Sequence, residues 1–164
     1  MERRTLELTI ISAGGLTSLS KYNVYVVVGT GTGGKKLQTH VLRSTGSSEL
    51  TLNIPIKLTF NEAAGLEDRL DLVIKIKAVK WLFFSKTLGK VRVPIKDLME
   101  GITEEGKESQ LVSYPVINGK AEPGSASLTF SYKFGKKFWH KVKAPNTSGS
   151  KVETDFLAGV LVGE

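Results

Sequence analysis

The segment Leu70-Asp-Leu-Val-Ile-Lys-Ile-Lys77 alternates between apolar and charged residues and is the clearest secondary-structure signal in the chain. Its even-numbered positions are all leucine or isoleucine, whereas its odd-numbered positions include Asp71, Lys75 and Lys77. Successive side chains of a β-strand point to opposite faces of the sheet. The alternation therefore predicts a strand with one buried and one solvated side.

Other segments of the chain show the same alternation or a run of β-branched residues. We predict further strands at residues 6–10, 22–28, 37–43, 52–60, 88–93, 110–116 and 126–134. A short helix is predicted at Ile95–Glu100, because it follows Pro94 and a helix start tolerates proline. Eight short strands separated by turn-rich stretches predict an all-β fold, an antiparallel β-sandwich with one short helix.

The composition narrows the classes of function. Hydrophobic residues make up 40% of the 164 residues, which is enough for a packed core. An excess of 23 Lys and Arg over 16 Asp and Glu gives a net charge of +7, which favours acidic partners. The sequence has no cysteine and only two histidines, so it offers no thiolate zinc site or thiol nucleophile. We predict that the protein is not an enzyme.

The composition changes after Gly135, where Lys136, Lys137, Lys141 and Lys143 flank Phe138 and Trp139. We predict a domain over residues 1–135 and a flexible C-terminal tail over 136–164, which ends in the apolar stretch Phe156–Val162. The basic and aromatic part of the tail fits either a second membrane contact or a solubilising segment. No N-terminal apolar run or long apolar segment is present, so we expect an intracellular protein that does not span a membrane.

Several collinear stretches resemble C2 domains, in particular the small plant C2 proteins of the soybean cold-regulated type. The stretches that carry the resemblance are Arg4–Ala13, Tyr22–Val28, Leu88–Leu98, Val112–Val116 and Leu128–Gly135. The resemblance covers roughly residues 3–135. It implies an eight-stranded C2 sandwich of the permuted, phospholipase C-type topology. It also implies an association with plant stress or defence responses.

The resemblance further implies a calcium site built from loop aspartates, but this chain departs from that pattern. Calcium takes about 6–8 oxygen ligands, mostly from carboxylates. Here the loop between Gly14 and Tyr22 has no acidic residue, and Asn23 occupies the position of a family aspartate. Ala78 and Lys80 stand where the family has an Asp-x-Asp pair. We therefore predict that the protein binds no calcium and needs no cofactor.

The same region has a run of four apolar residues, Trp81-Leu-Phe-Phe84, which we call the apolar loop. Lys80 and Lys86 flank it. We predict a membrane-inserting tip made of Lys80, Trp81, Phe83, Phe84 and Lys86, because aromatic side chains suit the bilayer interface and lysines meet anionic lipid. Two alternatives stay open: partial burial of the loop at the end of the sandwich, and docking of a protein partner.

A second candidate site is basic. The resemblance implies a lysine cluster that binds phosphoinositide headgroups, and the candidates are Lys36, Arg43, Lys57, Lys75 and Lys77. Alternation puts Lys75 and Lys77 on one face. Whether Lys36 and Lys57 share that face depends on the strand register, and an ordinary solvated face is the alternative.

These features predict a calcium-independent C2 module that binds anionic membrane phospholipids as a cytoplasmic, peripheral protein. The alternative is a protein–protein interaction adaptor that uses the apolar loop or the C-terminal tail, including for self-association. Nucleic acid is not expected as a partner, because the positive charge is modest and the aromatic residues concentrate at one loop and the tail.

Overall fold

The computed structural model of the chain describes residues 2–31, 36–79, 85–117 and 126–139, together with the backbone of 160–163. The strands are β1 Glu2–Gly14, β2 Val24–Gly29, β3 Lys36–Thr39, β4 Leu50–Asn61, β5 Asp71–Val79, β6 Ser85–Pro94, β7 Lys107–Pro115, β8 Ser127–Phe134, β9 Phe138–Trp139 and β10 Val160–Gly163. Two short helices, α1 Glu62–Leu66 and α2 Ile95–Leu98, accompany a 3₁₀ turn at Thr17–Ser20. Within the described part of the chain, no helix has the length and apolarity needed to cross a membrane.

The strands form two antiparallel sheets. The first has the order β4-β1-β8-β7, with β9 also paired to β1, and the second has the order β10-β3-β2-β5-β6. The inward rows of the two sheets, such as Leu6, Leu8 and Ile10 on β1, are almost fully buried. The apolar residues Leu72, Ile74 and Ile76 of β5, identified above, belong to the same core. The all-β antiparallel sandwich predicted from the sequence is confirmed.

The structure differs from the sequence-based assignment in three elements. The third strand ends at Thr39, and only Leu42 continues toward Val24 as an isolated bridge. Helix α1 was not predicted, because five residues are too few for a helical period to show; the side chain of Asn61 caps it by accepting from the Ala64 N–H at 3.1 Å. The segment after Gly135 supplies two strands, β9 and β10.

A close backbone approach joins the two sheets along one side of the sandwich. After β7, Ile117 exchanges two backbone hydrogen bonds with Lys90 of β6, at 2.9 and 3.0 Å. The Val116 side chain fills the space beside Gly89, where an added Cβ would lie 2.3 Å from the valine Cγ1. Glycine at position 89 therefore lets the first sheet reach the edge of the second.

Arg4 occupies the inward row of β1, although it is charged. Its side chain is 2% exposed, and its Nε donates to the Glu62 carboxylate at 2.8 Å. The two Nη atoms donate to backbone carbonyls of Thr103, Glu104 and Gly135 at 2.6, 3.2 and 2.9 Å. The guanidinium thus ties β1 to α1, to the turn before β7 and to the end of β8.

Replacing Arg4 with methionine is expected to destabilise the fold by about 3–5 kcal/mol, because Glu62 and three carbonyls lose their buried donor. The measurement is urea denaturation of the purified variant. The matched control is Arg69→Met, which breaks an exposed ion pair with Glu67 and should cost less than about 1 kcal/mol. Similar losses in the two variants would contradict the structural role of Arg4.

Candidate functional site

The outward side of the second sheet gathers cations from three strands. Lys75 of β5 is the Cα partner of Lys90 on β6 and of Val27 on β2. Since side chains alternate along a strand, Lys77 and Arg92 point the same way as Lys75 and Lys90. We call this surface the basic face, and it consists of Lys36, Lys75, Lys77, Lys90 and Arg92.

The positive charges of the basic face lie close enough to perturb one another. Partial burial lowers the pKa of the Lys75 ammonium, and repulsion from Lys36, Lys77, Lys90 and Arg92 lowers it further. Both effects disfavour the charged form of Lys75. A bound anion would offset the repulsion, so the face is electrostatically suited to receive one.

The basic face also contains apolar and acidic neighbours. Tyr25 pairs with Lys77 across β2 and β5, and both Tyr25 and Val27 are half-buried between the cations. At the far end of the face, the guanidinium of Arg92 forms an ion pair with Asp71. The less compensated positive charge therefore lies toward Lys75 and Lys77, the end of β5 that leads to the apolar loop.

The structure brings together some of the predicted basic residues and separates others. Lys36, Lys75 and Lys77 share the basic face. Lys57 does not: it lies on β4 of the first sheet, paired with Glu7, so its side chain faces outward from the opposite side of the sandwich. The shared-face hypothesis is therefore corrected for Lys57. The reason is that alternation fixes the side within a strand but not the sheet to which the strand belongs.

Lys90 and Arg92 belong to the basic face but were not chosen from the sequence. Their signal was present in Lys90-Val-Arg-Val93, where two cations alternate with two valines. The valines are buried and the cations exposed. Only the pairing of β5 with β6 shows that these cations lie beside Lys75.

The base of the apolar loop is well defined by its neighbours. Val79 and Ser85, the residues on either side of the connection, are Cα partners. Arg43 is exposed and directly follows Leu42, which bridges Val24 next to Ala78, so it lies at this end of the sandwich rather than on the basic face. Lys86 is exposed opposite Ala78. The predicted tip residues Lys80, Trp81, Phe83 and Phe84 lie outside the described residues.

Asn23 holds this end of the sandwich together. Its side-chain oxygen accepts a hydrogen bond from the Ser44 N–H at 2.9 Å, and its backbone carbonyl accepts from the Val79 N–H at 2.8 Å. Within the described ranges, no group of three or more His, Asp or Glu residues is placed to hold a metal ion. The absence of a calcium requirement stays a prediction, and Asn23 has a structural role where the family's aspartate would stand.

An aromatic pair lies at the other end of the sandwich. Phe138 and Trp139 of β9 are 42% and 65% exposed, and Trp139 is the partner of Glu2 at the start of β1. The neighbouring Lys137 lies 3.6 Å from Glu2 and 3.8 Å from Glu62. Lys136 lies 4.0 Å from Glu105. Because carboxylates accompany these lysines, this end is less suited to anionic lipid than the basic face.

Comparisons with known proteins agree with the fold. The family model described as "C2 domain" matches residues 4–111. "Protein SRC2 homolog" of Arabidopsis thaliana is 38% identical over 144 residues, and "Protein SRC2" of Glycine max is 37% identical over 142 residues. These alignments cover 84% and 83% of this chain but 43% and 48% of the relatives, so the chain spans about half the length of the curated relatives it matches.

Solved structures show the same architecture. A C2 domain of plant Extended Synaptotagmin 1 superposes with a TM-score of 0.62 at 10% identity, over 83% of this chain and 96% of that one. The calcium-bound tandem C2 domains of Extended-Synaptotagmin 2 superpose with a TM-score of 0.57 at 18% identity, over 84% of this chain and 44% of that one. At such identities the likeness concerns the fold alone.

Neutralising Lys36 is expected to raise the pKa of Lys75 toward its ordinary value of 10.5, because the Lys36→Gln variant removes a repelling charge. The measurement is an NMR titration of the lysine side chains. The matched control is Lys57→Gln, which removes a cation from the opposite side of the sandwich. An unchanged Lys75 titration in the Lys36→Gln variant would contradict the electrostatic coupling across the face.

Proposed function

The chain belongs to the C2 domain family, and we propose that it is a calcium-independent module that binds anionic membrane phospholipids. The observation that supports this function best is the basic face, where partial burial, and then repulsion from Lys36, Lys77, Lys90 and Arg92, lower the pKa of Lys75. An anionic headgroup would offset this repulsion and favour the charged lysine. The proposed activity is binding, and no residue has a catalytic role in it.

The apolar loop and the basic face are joined through the same two strands. β5 supplies Lys75 and Lys77 and then enters the loop, and β6 leaves the loop and supplies Lys90. At about 3.3 Å per residue, Lys77 lies about 7 Å along the strand from Val79 at the base of the loop. A loop inserted at the headgroup–acyl boundary would therefore bring the basic face to headgroup depth.

The proposed tip consists of Trp81, Phe83 and Phe84, with Lys80, Lys86 and Arg43 around it. Tryptophan is enriched at the membrane interface, because its ring is largely apolar and its N–H can bond to a polar partner there. Arg43 and Lys86 are exposed at the base of the loop, and in the proposed orientation they would meet anionic lipid. The tip would add apolar insertion to the electrostatic attraction of the face.

The residues at this end of the sandwich support the proposed calcium independence. Calcium needs several carboxylate oxygens, whereas the sequence from Ala78 to Lys86 contains lysines and no acid. The side-chain oxygen of Asn23 already accepts a hydrogen bond from the Ser44 N–H. In place of a metal bridge, the protein's own cations would meet the lipid phosphates.

The proposed place of action is the cytoplasmic surface of a membrane, where anionic lipids create a negative surface potential. A role in plant stress or defence signalling is part of the proposal and rests on the likeness to the plant SRC2 proteins.

Removing one lysine of the basic face should weaken binding to anionic vesicles about fivefold, which corresponds to about 1 kcal/mol per basic residue near the surface. The experiment is co-sedimentation of the Lys75→Gln and Lys77→Gln variants with phosphatidylcholine vesicles that contain phosphatidylserine. Binding should weaken with added salt, because exposed charges are screened. The fraction of protein bound to the vesicles should be the same in EGTA as in calcium.

The matched control is Lys57→Gln, which lowers the net charge by the same amount but acts on the opposite side of the sandwich. Equal weakening in this control would show that net charge, and not the basic face, determines binding. Thermal unfolding of each variant should show no loss of stability for Lys75→Gln, because the repulsion among the lysines is relieved. Binding that needs calcium, or equal binding to neutral vesicles, would contradict the proposed function.

The apolar loop is tested by the fluorescence of Trp81 in a Trp139→Phe background. Insertion should shift the emission to shorter wavelength when anionic vesicles are added, because the indole leaves water. The comparison protein is the Phe83→Ser, Phe84→Ser double variant in the same background, which should shift less. An unshifted emission, together with a dimer in light scattering, would favour the protein-interaction adaptor instead.

A further inference from the structure

The C-terminal strand β10 supplies most of the pairing of β3. Val160, Leu161, Val162 and Gly163 are the Cα partners of Thr39, Gln38, Leu37 and Lys36, so the pairing covers the whole of β3. On its other side, β3 is paired with β2 at only two positions, Val27↔Gln38 and Val28↔Leu37. β3 is therefore joined to the sheet by a short ladder and to the C-terminal segment by a longer one.

The inner side of β3 is well satisfied without β10. Leu37 is buried in the core, and the Thr39 hydroxyl accepts from the Val26 N–H at 3.0 Å while donating to the His40 carbonyl at 2.9 Å. The outer edge of β3 is different, because an unpaired edge presents a row of free N–H and C=O groups. In this fold, β10 is the strand that lies along that edge.

β10 lies on the side of the sandwich where β3 and β4 are the edge strands nearest to it. β3 and β4 are the strands of the two sheets that lie next to β10, which contacts both of them. On the opposite side of the sandwich, the Ile117–Lys90 bridge joins β6 to the segment after β7. On the β3–β4 side, β10 is the segment that contacts both sheets, as the bridge does on the opposite side.

We propose that the outer edge of β3 is a strand-acceptor site, which the C-terminal segment of the same chain occupies and which a free peptide of the same sequence can fill in its place. The site would recognise an extended, antiparallel segment mainly through backbone hydrogen bonds, the mode known as β-augmentation. The occupying sequence Val160-Leu-Val162 suits this mode, because β-branched and aliphatic residues favour strands. This proposal is independent of lipid binding.

The connection is long enough for the chain to fill its own site. Residues 140–159 join β9 to β10, and about 20 residues can reach about 70 Å when extended. β1, which runs the length of the sandwich, has 13 residues and spans about 43 Å. The connection is therefore long enough to join β9 on the first sheet to the edge of the second sheet within one molecule.

The test is hydrogen exchange at the β3 amides, followed by mass spectrometry, in the full chain and in the Leu161→Pro, Val162→Pro double variant. Proline lacks the N–H that an antiparallel ladder needs. Because alternate residues of β10 donate their N–H to β3, replacing two adjacent residues removes at least one of these donors. Exchange at residues 37–39 should become at least about tenfold faster, with β1 and β5 unchanged. The control variant is Leu157→Pro. This substitution lies outside the paired residues, so the β3 amides should exchange as they do in the unmodified chain.

A second measurement tests the acceptor directly. A chain that ends at residue 155 should show the same fast exchange at β3, and a synthetic peptide of residues 156–164 should restore the protection, whereas a scrambled peptide should not. Unchanged exchange in the truncated chain, or a peptide that restores nothing, would overturn the proposal. Protection that increases with protein concentration, together with a dimer in sedimentation, would overturn the single-chain occupant in favour of a second copy.

Discussion

The side chain of Arg4 stands in the row of β1 that otherwise points into the core, and three segments distant in sequence depend on its guanidinium. Glu62 offsets the buried charge, and carbonyls of Thr103, Glu104 and Gly135 accept hydrogen bonds from three of the four Nη hydrogens. A buried ion pair is not by itself a large source of stability, but one that has lost a partner is costly. The network therefore acts mainly as a constraint: it holds β1, α1 and the end of β8 in one arrangement.

That constraint operates at one end of the sandwich, while Arg43 and Lys86 lie at the other end and the basic face lies on the outer side of the second sheet. The division has a physical basis. Opposite charges are paired at the Arg4 end, where Lys137 also lies within 3.8 Å of Glu62. On the basic face, like charges stand together and the pKa of Lys75 is lowered. The repulsion within this face would be relieved by an anion that binds there from outside.

The sandwich has two sides along which the edges of the two sheets lie near each other, and these sides are covered in different ways. On one side, the bridge from Ile117 to Lys90 depends on Gly89, since any side chain there would meet Val116. On the other side, the edge of β3 is covered by β10, which comes from the end of the chain. The first closure uses backbone atoms of the two sheets themselves. The second adds a strand from a segment whose composition differs from that of the domain.

The sequence by itself determined most of the strands, their inward rows and the lack of acidic residues from Ala78 to Lys86, because these properties depend on neighbours along the chain. The alternation from Leu72 to Lys77 is a local signal, and it was sufficient to predict a strand with one buried side. The tertiary structure alone decided that Lys36 and Lys90 stand beside Lys75, that Lys57 does not, and that Arg4 is buried. Strand order and register bring together residues far apart in sequence, and no local pattern encodes which strand becomes the neighbour of which.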